Sequence, residues 1–345
     1  MKSIKPIVLL ATILLIVNQI NAQKLIAVQN GETHKFYSVL QDAITNAQNK
    51  DTIYIPGGVF SLTNSSITID KELHLIGVGH YPDSSAVQGI TYLNGSITLI
   101  SGANYSSFEG FYLNGDINSG TPTSNEDVDN ITISRCNCGS LTLDSLSTNW
   151  VVYENEIRGV LSGYVQTPTN GHYTQNNLFS NNIFTSLVYG FGHNNEFKNN
   201  LFLFNGYFNP SYIVDCTFKN NIFCSTSSLS SINSSVFNNN LFTIGFTIPS
   251  GCVGINNIIN QDQASIFVNQ SGNEFNYTHD YHLNNSSPGK NAGSDGTDIG
   301  IYGGIYPWKE SSIPTNPHLQ SARIAHKTDS NGNLNVQIKV AAQEN

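Results

Sequence analysis

Charged side chains are scarce in this sequence. Only 11% of the 345 residues are charged, and 15 basic residues stand against 24 acidic ones, which gives a net charge of -9. No cluster of lysine and arginine is present that would neutralise a row of phosphates. The composition therefore argues against a nucleic-acid partner.

Long apolar runs are missing after the amino terminus. Residues 1–22 combine two lysines, an apolar run from Ile7 to Val17 and a small residue at Ala22, a pattern typical of a cleaved secretory signal peptide. The run is short for a membrane span, and no second candidate follows it. No cysteine directly follows the leader to carry a lipid. We therefore expect export to a periplasm, a cell surface or the medium, without a membrane span after signal cleavage.

What the chain does contain favours one long repetitive domain. Glycine occurs 29 times and phenylalanine 18 times, and 39% of residues are hydrophobic, which is too many for a disordered chain. A motif of the form Phe-x-Asn-Asn-(Ile/Leu)-Phe recurs in "QNNLFSNNIF", "HNNEFKNNLF", "DCTFKNNIF" and "NSSVFNNNLF". Its period of about 20 residues is too short for a propeller blade or a helical-pair repeat and predicts a parallel β-solenoid.

The repeats align on their second asparagine. The steps between these asparagines are 18, 21, 19 and 17 residues, and the "VYENEI" segment supplies an earlier member 27 residues upstream, giving the series Asn155, Asn182, Asn200, Asn221, Asn240 and Asn257. In a solenoid each strand pairs with the previous coil at about 4.8 Å, so equivalent side chains stack. We expect an inward ladder of carboxamides, since an unpaired buried amide costs about 1–3 kcal/mol.

Phenylalanines flank this ladder at fixed positions. They lie three residues before and two residues after the ladder asparagine, which predicts two aromatic stacks, Phe179, Phe197, Phe218 and Phe237 in one and Phe184, Phe202, Phe223 and Phe242 in the other. The intervening Ser180, Lys198, Lys219 and Asn238 are expected to face outward. The position after the ladder is also predicted to point outward. It holds Glu156 and then an aliphatic stripe, covered by loops or open to a partner.

Five cysteines in an exported protein raise the question of disulfides. Cys216 and Cys252 share one repeat position, but they are two coils apart, about 9.5 Å, beyond the reach of a disulfide. Cys136 and Cys138 are two residues apart in a predicted strand and are also poorly placed. We expect all five to be small buried hydrophobic side chains.

The two ends of the chain depart from the repeat. Apolar residues from Val39 to Ala47 have helical spacing, which predicts a helix that covers the open amino-terminal end of the core. Residues 305–345 form a predicted linker and a hairpin around Asn331-Gly332, either folded back on the last coil or mobile. Between them, residues 23–304 are predicted to form about ten coils, a rod of roughly 50 Å.

Several segments together resemble a known superfamily. These are "DTIYIPGGVF", "KELHLIGVG", the asparagine ladder and "DYHLNNSSPGKNAGSDGTDIGIYGG". The chain is similar to the pectin-lyase-like right-handed parallel β-helix superfamily, in particular to its secreted bacterial repeat proteins. The resemblance implies an all-β, right-handed parallel β-helix. It implies no single activity, because the superfamily includes lyases, hydrolases, epimerases and proteins without known chemistry.

The same resemblance indicates which residues to consider for catalysis. Its lyases use acidic clusters for Ca²⁺ and a basic residue as base, and its hydrolases use paired acids about 5 to 9.5 Å apart. Residues 159–261 hold too few ionisable groups for either. The denser patch lies upstream, at Glu126, Asp127, Asp129, Arg135, Asp144, Glu154, Glu156 and Arg158.

Within this patch Arg135 and Arg158 are 23 residues apart and are predicted to lie on one outer face. We assign Arg158 as candidate base or substrate clamp, and Asp129, Glu154 and Glu156 as candidate metal or acid groups. The alternative is a solvated face of ordinary surface charges. No motif of an enzyme class matches residue by residue.

The favoured function is binding of extracellular polysaccharide along the outer face, without a demonstrable catalytic motif. A long wall rich in amides and hydroxyls suits a chain polymer, as do the tyrosines expected on it, Tyr164, Tyr173, Tyr189, Tyr207 and Tyr212. The first alternative is a polysaccharide lyase or glycoside hydrolase, with Ca²⁺ as the cofactor of a lyase. The second is a structural or adhesion protein of the cell surface.

Overall fold

A computed structural model describes residues 24–85, 89–120, 127–144, 146–163, 174–203, 213–224 and 232–341. The fold is an all-β parallel solenoid of about 8 coils, which confirms the predicted class and corrects the predicted number of ten coils. None of the described helices has the length and hydropathy needed to cross a bilayer. The predicted signal peptide lies outside the described residues.

Sheet 1 contains twelve strands and extends along the axis of the solenoid. In spatial order they are Thr33–Tyr37, Ile26–Asn30, Asp51–Tyr54, Leu73–Ile76, Ser107–Glu109, Thr132–Ser134, Val151–Tyr153, Leu178–Ser180, Glu196–Lys198, Thr217–Lys219, Val236–Asn238 and Val253–Ile255. The first two strands form an antiparallel hairpin, and every pairing from Asp51–Tyr54 onward is parallel.

Sheet 2 has thirteen strands and two branches, because Thr91–Leu99 is long enough to pair with two later strands. Its members are Gly58–Ile69, Thr91–Leu99, Tyr112–Leu113, Ile117–Ser119, Asn137–Cys138, Leu141–Thr142, Glu156–Ile157, Leu161–Ser162, Ile183–Phe184, Val188–Tyr189, Leu201–Leu203, Ile222–Cys224 and Leu241–Phe242.

The remaining elements are short or terminal. Ile213–Val214 pairs in parallel with Ile232–Asn233, and two antiparallel pairs follow later in the chain. The helices are Leu40–Asn46, Gln263–Ile266 and a 3₁₀ turn, Glu310–Ser312, and the two antiparallel pairs are Phe267–Asn269 with Asp280–Leu283 and His318–Ile324 with Val336–Ala341.

The inward ladder of asparagines is confirmed. Asn155, Asn182, Asn200, Asn221 and Asn240 each donate from Nδ2 to Oδ1 of the next ladder member, at 3.0 to 3.1 Å. Each Nδ2 also donates to a main-chain carbonyl of the preceding coil, as Asn221 does to Phe197 at 2.8 Å. Every amide is therefore satisfied inside the apolar core, which removes the cost of burying it.

The two predicted aromatic stacks are also present. Phe197 and Phe218 pair directly across adjacent strands, with ring centroids 4.9 Å apart and an interplanar angle of 7°. Phe202 and Phe223 stack in the second column at 4.5 Å. All eight phenylalanines are buried. Matching side chains of successive coils thus form continuous columns, as the repeat spacing predicts.

A second polar column lies at the bend before sheet 1, and the sequence analysis missed it. The main-chain nitrogen of Trp150 donates to Oδ1 of Asn177, and Nδ2 of Asn177 donates to Oδ1 of Asn195. Ser235 serves the same position two coils later, where its Oγ accepts from the nitrogen of Cys216. The residue type changes along this column, so it left no repeated motif to recognise.

The cysteines are free thiols, and four of the five are buried. Cys252 is half-buried, in the last coil. Burial raises the pKa of Cys138 and of Cys216 to about 12. These side chains therefore act as small apolar groups, as expected, rather than as reactive thiolates.

The amino-terminal end of the core is closed as predicted. Helix Leu40–Asn46 buries Leu40, Ala43 and Ile44 in the same hydrophobic cluster as the coil interior. Lys71 fixes the end of this helix by donating from Nζ to the carbonyl of Ala47 at 3.1 Å. A cation there also interacts favourably with the helix dipole.

The coil number falls short of ten because residues at both ends serve other purposes. The first full coil is long, since Gly58 pairs with Thr91, 33 positions later. After the last sheet-1 strand, residues 263–316 leave the solenoid and run back along its outside. We call residues 263–316 the strap.

The strap covers the aliphatic stripe predicted on sheet 2. Ile183, Leu201, Ile222 and Leu241 are buried in one cluster with strap residues such as Ile299, Ile301 and Trp308. The side chains point away from the coil interior, as strand alternation requires, yet they do not face solvent. Of the two predicted alternatives, cover by another segment of the chain is the observed one.

The carboxyl-terminal hairpin is present, but it does not fold back on the last coil. Leu319 and Val340 of this hairpin line a cavity of about 260 Å³ together with Leu25 and Ala27, at the amino-terminal end of the solenoid. From Ala292 to Thr315 the strap runs from the last coils toward the first, with hydrogen bonds to Asn239, Asn181 and Glu109 in turn. The segment predicted as a linker is therefore in contact with the solenoid.

Candidate functional site

The residues that directly precede the ladder positions form a further column, distinct from that of Asn177 and Asn195, which we call the outer column. Its members adopt left-handed backbone, with φ between 53° and 72°, at Gly110, Arg135, Glu154, Asn181, Asn199, Asn220, Asn239 and Asn256. Asparagine and glycine tolerate this conformation best among common residues. The Asn-Asn pair of the repeat therefore has two roles: the first residue makes the turn, and the second builds the inward ladder.

Outer-column asparagines hold the strap. Asn181 donates from Nδ2 to the carbonyls of Ile301 and Gly303, at 2.8 and 2.7 Å. Asn220 accepts at Oδ1 from the nitrogen of Ser294 at 2.9 Å. Asn239 donates to the carbonyl of Ala292 at 3.1 Å. Side-chain amides thus bind strap backbone in successive coils and in the reverse chain direction.

Further toward the amino terminus the outer column becomes charged. Nε of Arg135 donates to Oε2 of Glu154 at 3.0 Å, and Nη1 lies 3.2 Å from Oε1 of Glu109. Only 2% of the Arg135 and Glu154 side chains is exposed. Burial raises the pKa of Glu154, and the Arg135 guanidinium opposes that rise. The group is a buried ion network.

Strap backbone completes this network. Oε2 of Glu154 accepts from the nitrogen of Lys309 at 3.2 Å, and Nη1 of Arg135 donates to the carbonyl of Ile313 at 3.3 Å. Glu109 accepts from the nitrogen of Thr315 at 2.8 Å. The charges of Glu154 and Arg135 are therefore used to hold the strap, and neither is presented to solvent.

Glu156 occupies the position after the ladder, where the later coils carry aliphatic residues. The strap covers it, and only 2% of the residue is exposed. Burial raises the pKa of Glu156 to about 8, against the opposing effects of Arg158 and Asn137. Glu156 points outward from the coil, as predicted, but the alternative of a solvated surface charge is wrong for it, because the strap removes it from water. At neutral pH its carboxyl is mainly protonated.

Aromatic residues and a histidine surround this carboxyl. Nδ2 of Asn137 donates to the hydroxyl of Tyr277, which also lies 3.1 Å from Nδ1 of His80. His80 is fully buried, and burial lowers its pKa to about 3, with Arg158 acting in the same direction. Oε2 of Glu156 and Nε2 of His80 are buried without a hydrogen-bond partner among the described residues.

Arg158 extends from this buried region to the surface. Its Nε donates to Oδ1 of Asn137 and its Nη2 to the carbonyl of Leu113, both at 2.6 Å. The guanidinium carbon lies 4.6 Å from the ring centroid of Tyr112, within range of a cation–π interaction. No described residue accepts a hydrogen bond from Nη1.

The ring of Tyr112 in turn stacks on Tyr92 of the preceding coil. Their centroids are 5.0 Å apart and their planes differ by 12°. Both rings are half-buried, and the neighbouring Asn94 and Asn114 are exposed and joined by a hydrogen bond of 3.2 Å. We call Tyr92, Tyr112, Arg158, Asn94 and Asn114 the tyrosine face. Every residue of this face is at least partly exposed to solvent.

Asp129 lies apart from the other three candidates. Its Oδ1 accepts from the nitrogen and hydroxyl of Thr148, at 2.6 and 2.8 Å, in the turns that precede the sheet-1 strands. Glu154 and Glu156 lie beyond the far ends of those strands. The structure thus brings Glu156 and Arg158 together, places Glu154 in the ion network, and leaves Asp129 in a turn. A shared outer face for Arg135 and Arg158 is not observed, because Arg135 is buried.

Of the five tyrosines expected on the outer wall, the structure describes one. Tyr164, Tyr173, Tyr207 and Tyr212 lie outside the described residues, and Tyr189 is half-buried at the end of a sheet-2 strand. Sequence reasoning missed Tyr92 and Tyr112. The signal was the recurrence of "YLNG" at Tyr92 and Tyr112, 20 residues apart, which is one coil.

Among the described residues, no three His, Cys, Asp or Glu side chains are grouped closely enough to hold a metal ion. No protein-family model matches this chain, and a comparison with curated proteins found no match either.

Proposed function

We propose that this is an exported β-solenoid, of the pectin-lyase-like right-handed type, that binds extracellular polysaccharide through the tyrosine face. The observation that carries the proposal is the stacked pair of Tyr92 and Tyr112 with the Arg158 guanidinium above it. The Tyr112 ring faces Tyr92 and the guanidinium, so the half-buried pair presents apolar ring edges to a sugar, and the polar rim supplies hydrogen bonds.

The neighbouring groups suit a polymer that runs along the solenoid. Asn94 and Asn114 occupy equivalent positions in adjacent coils, about 4.8 Å apart, so a chain along the axis meets the same amide in two successive coils. Arg158 adds a planar set of donors, of which Nη1 has no acceptor among the described residues. Such a donor favours hydroxyl or carboxylate groups of a sugar.

Binding is tested with the chain after signal cleavage, offered to an array of acidic and neutral polysaccharides. We expect a bound polysaccharide whose affinity falls at least about tenfold in Tyr112→Ala. Arg158→Gln separates the two sugar classes, since it weakens binding of an acidic chain more than of a neutral one. Both variants are checked for unchanged unfolding temperature.

A matched control is Tyr105→Ala, since Tyr105 is 60% exposed in a turn before sheet 1 and outside the tyrosine face. Its binding should match that of the unaltered protein. The proposal is wrong if no polysaccharide binds, or if Tyr105→Ala and Tyr112→Ala lose affinity equally. Absence of glycan binding and of cleavage would favour the structural or adhesion role.

A lyase or glycosidase is the second candidate, favoured by one observation. Glu156, with its pKa raised to about 8, lies beside Arg158, and a carboxyl protonated at neutral pH can serve as general acid. Since the strap covers Glu156, a substrate would reach it only after the strap moves. The assay offers the same polysaccharides with Ca²⁺ and measures unsaturated and reducing ends. Activity lost in both Glu156→Gln and Arg158→Ala would establish this candidate.

A further inference from the structure

The last coil ends in an open sheet edge. Val253–Ile255 pairs in parallel with Val236–Asn238 on one side, and no described strand pairs with its other side. At the opposite end, sheet 1 finishes in the antiparallel hairpin, and helix Leu40–Asn46 packs on the core beside it. Within sheet 1, a free edge that continues the parallel pairing is therefore described at one end only.

The surface beside this edge is apolar. Val253 and Ile255 point outward from the strand and are each 63% exposed, and Ile248 and Ile259 nearby are 37% and 39% exposed. In the earlier coils the same two positions are mixed: Glu196 and Lys198 are charged, whereas Val151, Leu178 and Val236 are apolar. At the last coil both positions are apolar, and both are well exposed.

Charge is absent from the same region. Residues 220–261 contain no Asp, Glu, Lys, Arg or His, although the chain as a whole carries a net charge of -9. Soluble proteins usually protect a free sheet edge with charged side chains or proline within the strand. Neither is present in Val253–Ile255.

We propose that this edge binds a second copy of the chain, through antiparallel pairing of the two Val253–Ile255 strands about a two-fold axis. Such a contact uses one patch on both partners, so it must be complementary to itself. An uncharged patch meets this condition, because two chains of equal net charge then approach through the region that carries none. An axis at Gly254 places Val253 of one copy opposite Ile255 of the other.

The capped first coil limits the assembly to two chains. A head-to-tail stack through this edge would pair it with Thr33–Tyr37, the outer strand of the amino-terminal hairpin, and Lys35 in that strand protects it against such pairing. Tail-to-tail pairing therefore closes as a dimer. The tyrosine face lies in the early coils and stays clear of the contact, so dimerisation is independent of the proposed binding of polysaccharide.

The test is the mass of the signal-cleaved chain in solution. Sedimentation velocity and native mass spectrometry between about 1 and 100 μM should show a monomer–dimer equilibrium. Hydrogen exchange at the main-chain amides of Val253–Ile255 should slow as the concentration rises. A protein that is monomeric at about 100 μM, or one that forms longer polymers, would overturn the proposal.

A matched pair of variants locates the contact. Val253→Lys places an ammonium in the patch at a position that is already exposed. We expect the dissociation constant of the dimer to rise at least about tenfold. Thr132→Lys is the control, since Thr132 occupies the equivalent outward position several coils earlier. Its dimer should be unchanged. A dimer that survives Val253→Lys intact, or that Thr132→Lys weakens as much, would exclude pairing at this edge.

Discussion

Nδ2 of Asn221 lies 3.0 Å from Oδ1 of Asn240, inside the apolar core. The Oδ1 of Asn221 also accepts from the nitrogen and from Nδ2 of Asn200, at 2.8 and 3.0 Å. Asn221→Leu would leave those donors and the carbonyl of Phe197 without their partner. We expect the free energy of unfolding to fall by about 2–5 kcal/mol in denaturant titration, since each unsatisfied buried group costs about 1–3 kcal/mol.

The control for this prediction lies two residues away. Lys219 points outward and is half-exposed, so Lys219→Leu should change stability by less than about 0.5 kcal/mol. Ser180, which the sequence predicts to face outward, is unsuitable because it is only 2% exposed and its hydroxyl donates to Oδ1 of Asn181. Equal losses in the Asn221 and Lys219 variants would contradict the ladder.

Contact between strap and solenoid can be tested with two glycines. A Cβ at Gly110 would lie 2.9 Å from Cβ of Pro314 in the strap, whereas a Cβ at Gly31 would have nothing within 4 Å. Both glycines have positive φ, so both alanine variants lose about 1 kcal/mol to backbone strain. Gly110→Ala should lose a further ~1 kcal/mol or more of unfolding free energy, because the added methyl group overpacks the contact with Pro314.

Proteolysis supplies the second measurement. In Gly110→Ala, cleavage after Lys309 should be faster than in Gly31→Ala, because the displaced Pro314 loosens the adjoining strap. Identical stability and cleavage rates for the two variants would show that the strap does not pack on Gly110.

The buried ion network predicts a large effect from a small change. Glu154→Gln removes the charge that faces Arg135, and we expect a loss of about 3 kcal/mol in unfolding free energy. Glu196→Gln, at a half-exposed position of sheet 1, should change stability by less than about 0.5 kcal/mol.

Replacing the whole pair separates burial from attraction. The double variant Arg135→Met with Glu154→Leu should be less destabilised than the sum of the two single variants, since no buried charge is left alone. Additive losses would mean that the two side chains do not interact.

Two buried ionisable groups beside the tyrosine face, Glu156 and His80, make the stability depend on pH in opposite directions. Burial raises the pKa of Glu156 from 4.5 to about 8, so its contribution is complete below pH 4.5 and is lost as the pH rises toward 8. Burial lowers the pKa of His80 from 6.5 to about 3, so its contribution is present above pH 6.5 and is lost on acidification. Between pH 4.5 and 6.5 the two effects oppose each other.

The window from pH 6.5 to 8 therefore reports on Glu156 alone of this pair. We expect the native protein to lose up to about 2 kcal/mol there, and Glu156→Gln to lose much less, because the amide does not ionise. Denaturant titrations at the two pH values measure the difference. A loss that persists unchanged in Glu156→Gln would assign the effect to another group.

The regular part of the fold could be predicted because the solenoid repeats a local rule. Asn182, Asn200 and Asn221 return at nearly constant intervals, and only stacking of successive coils makes such a repeat useful. The coil number was overestimated because "DYHLNNSSPG" has the same turn-rich composition as a coil, although it belongs to the strap.

The sequence by itself determined the coil, the inward ladder and the aromatic stacks, since these depend on contacts between equivalent positions one repeat apart. Only the tertiary structure decided what lies outside the coil. The strap meets Glu154, Glu156 and Ile183 from more than a hundred residues away in the chain, and no periodicity links such partners. Burial beneath it turns predicted surface charges into an ion network and a protonated carboxyl.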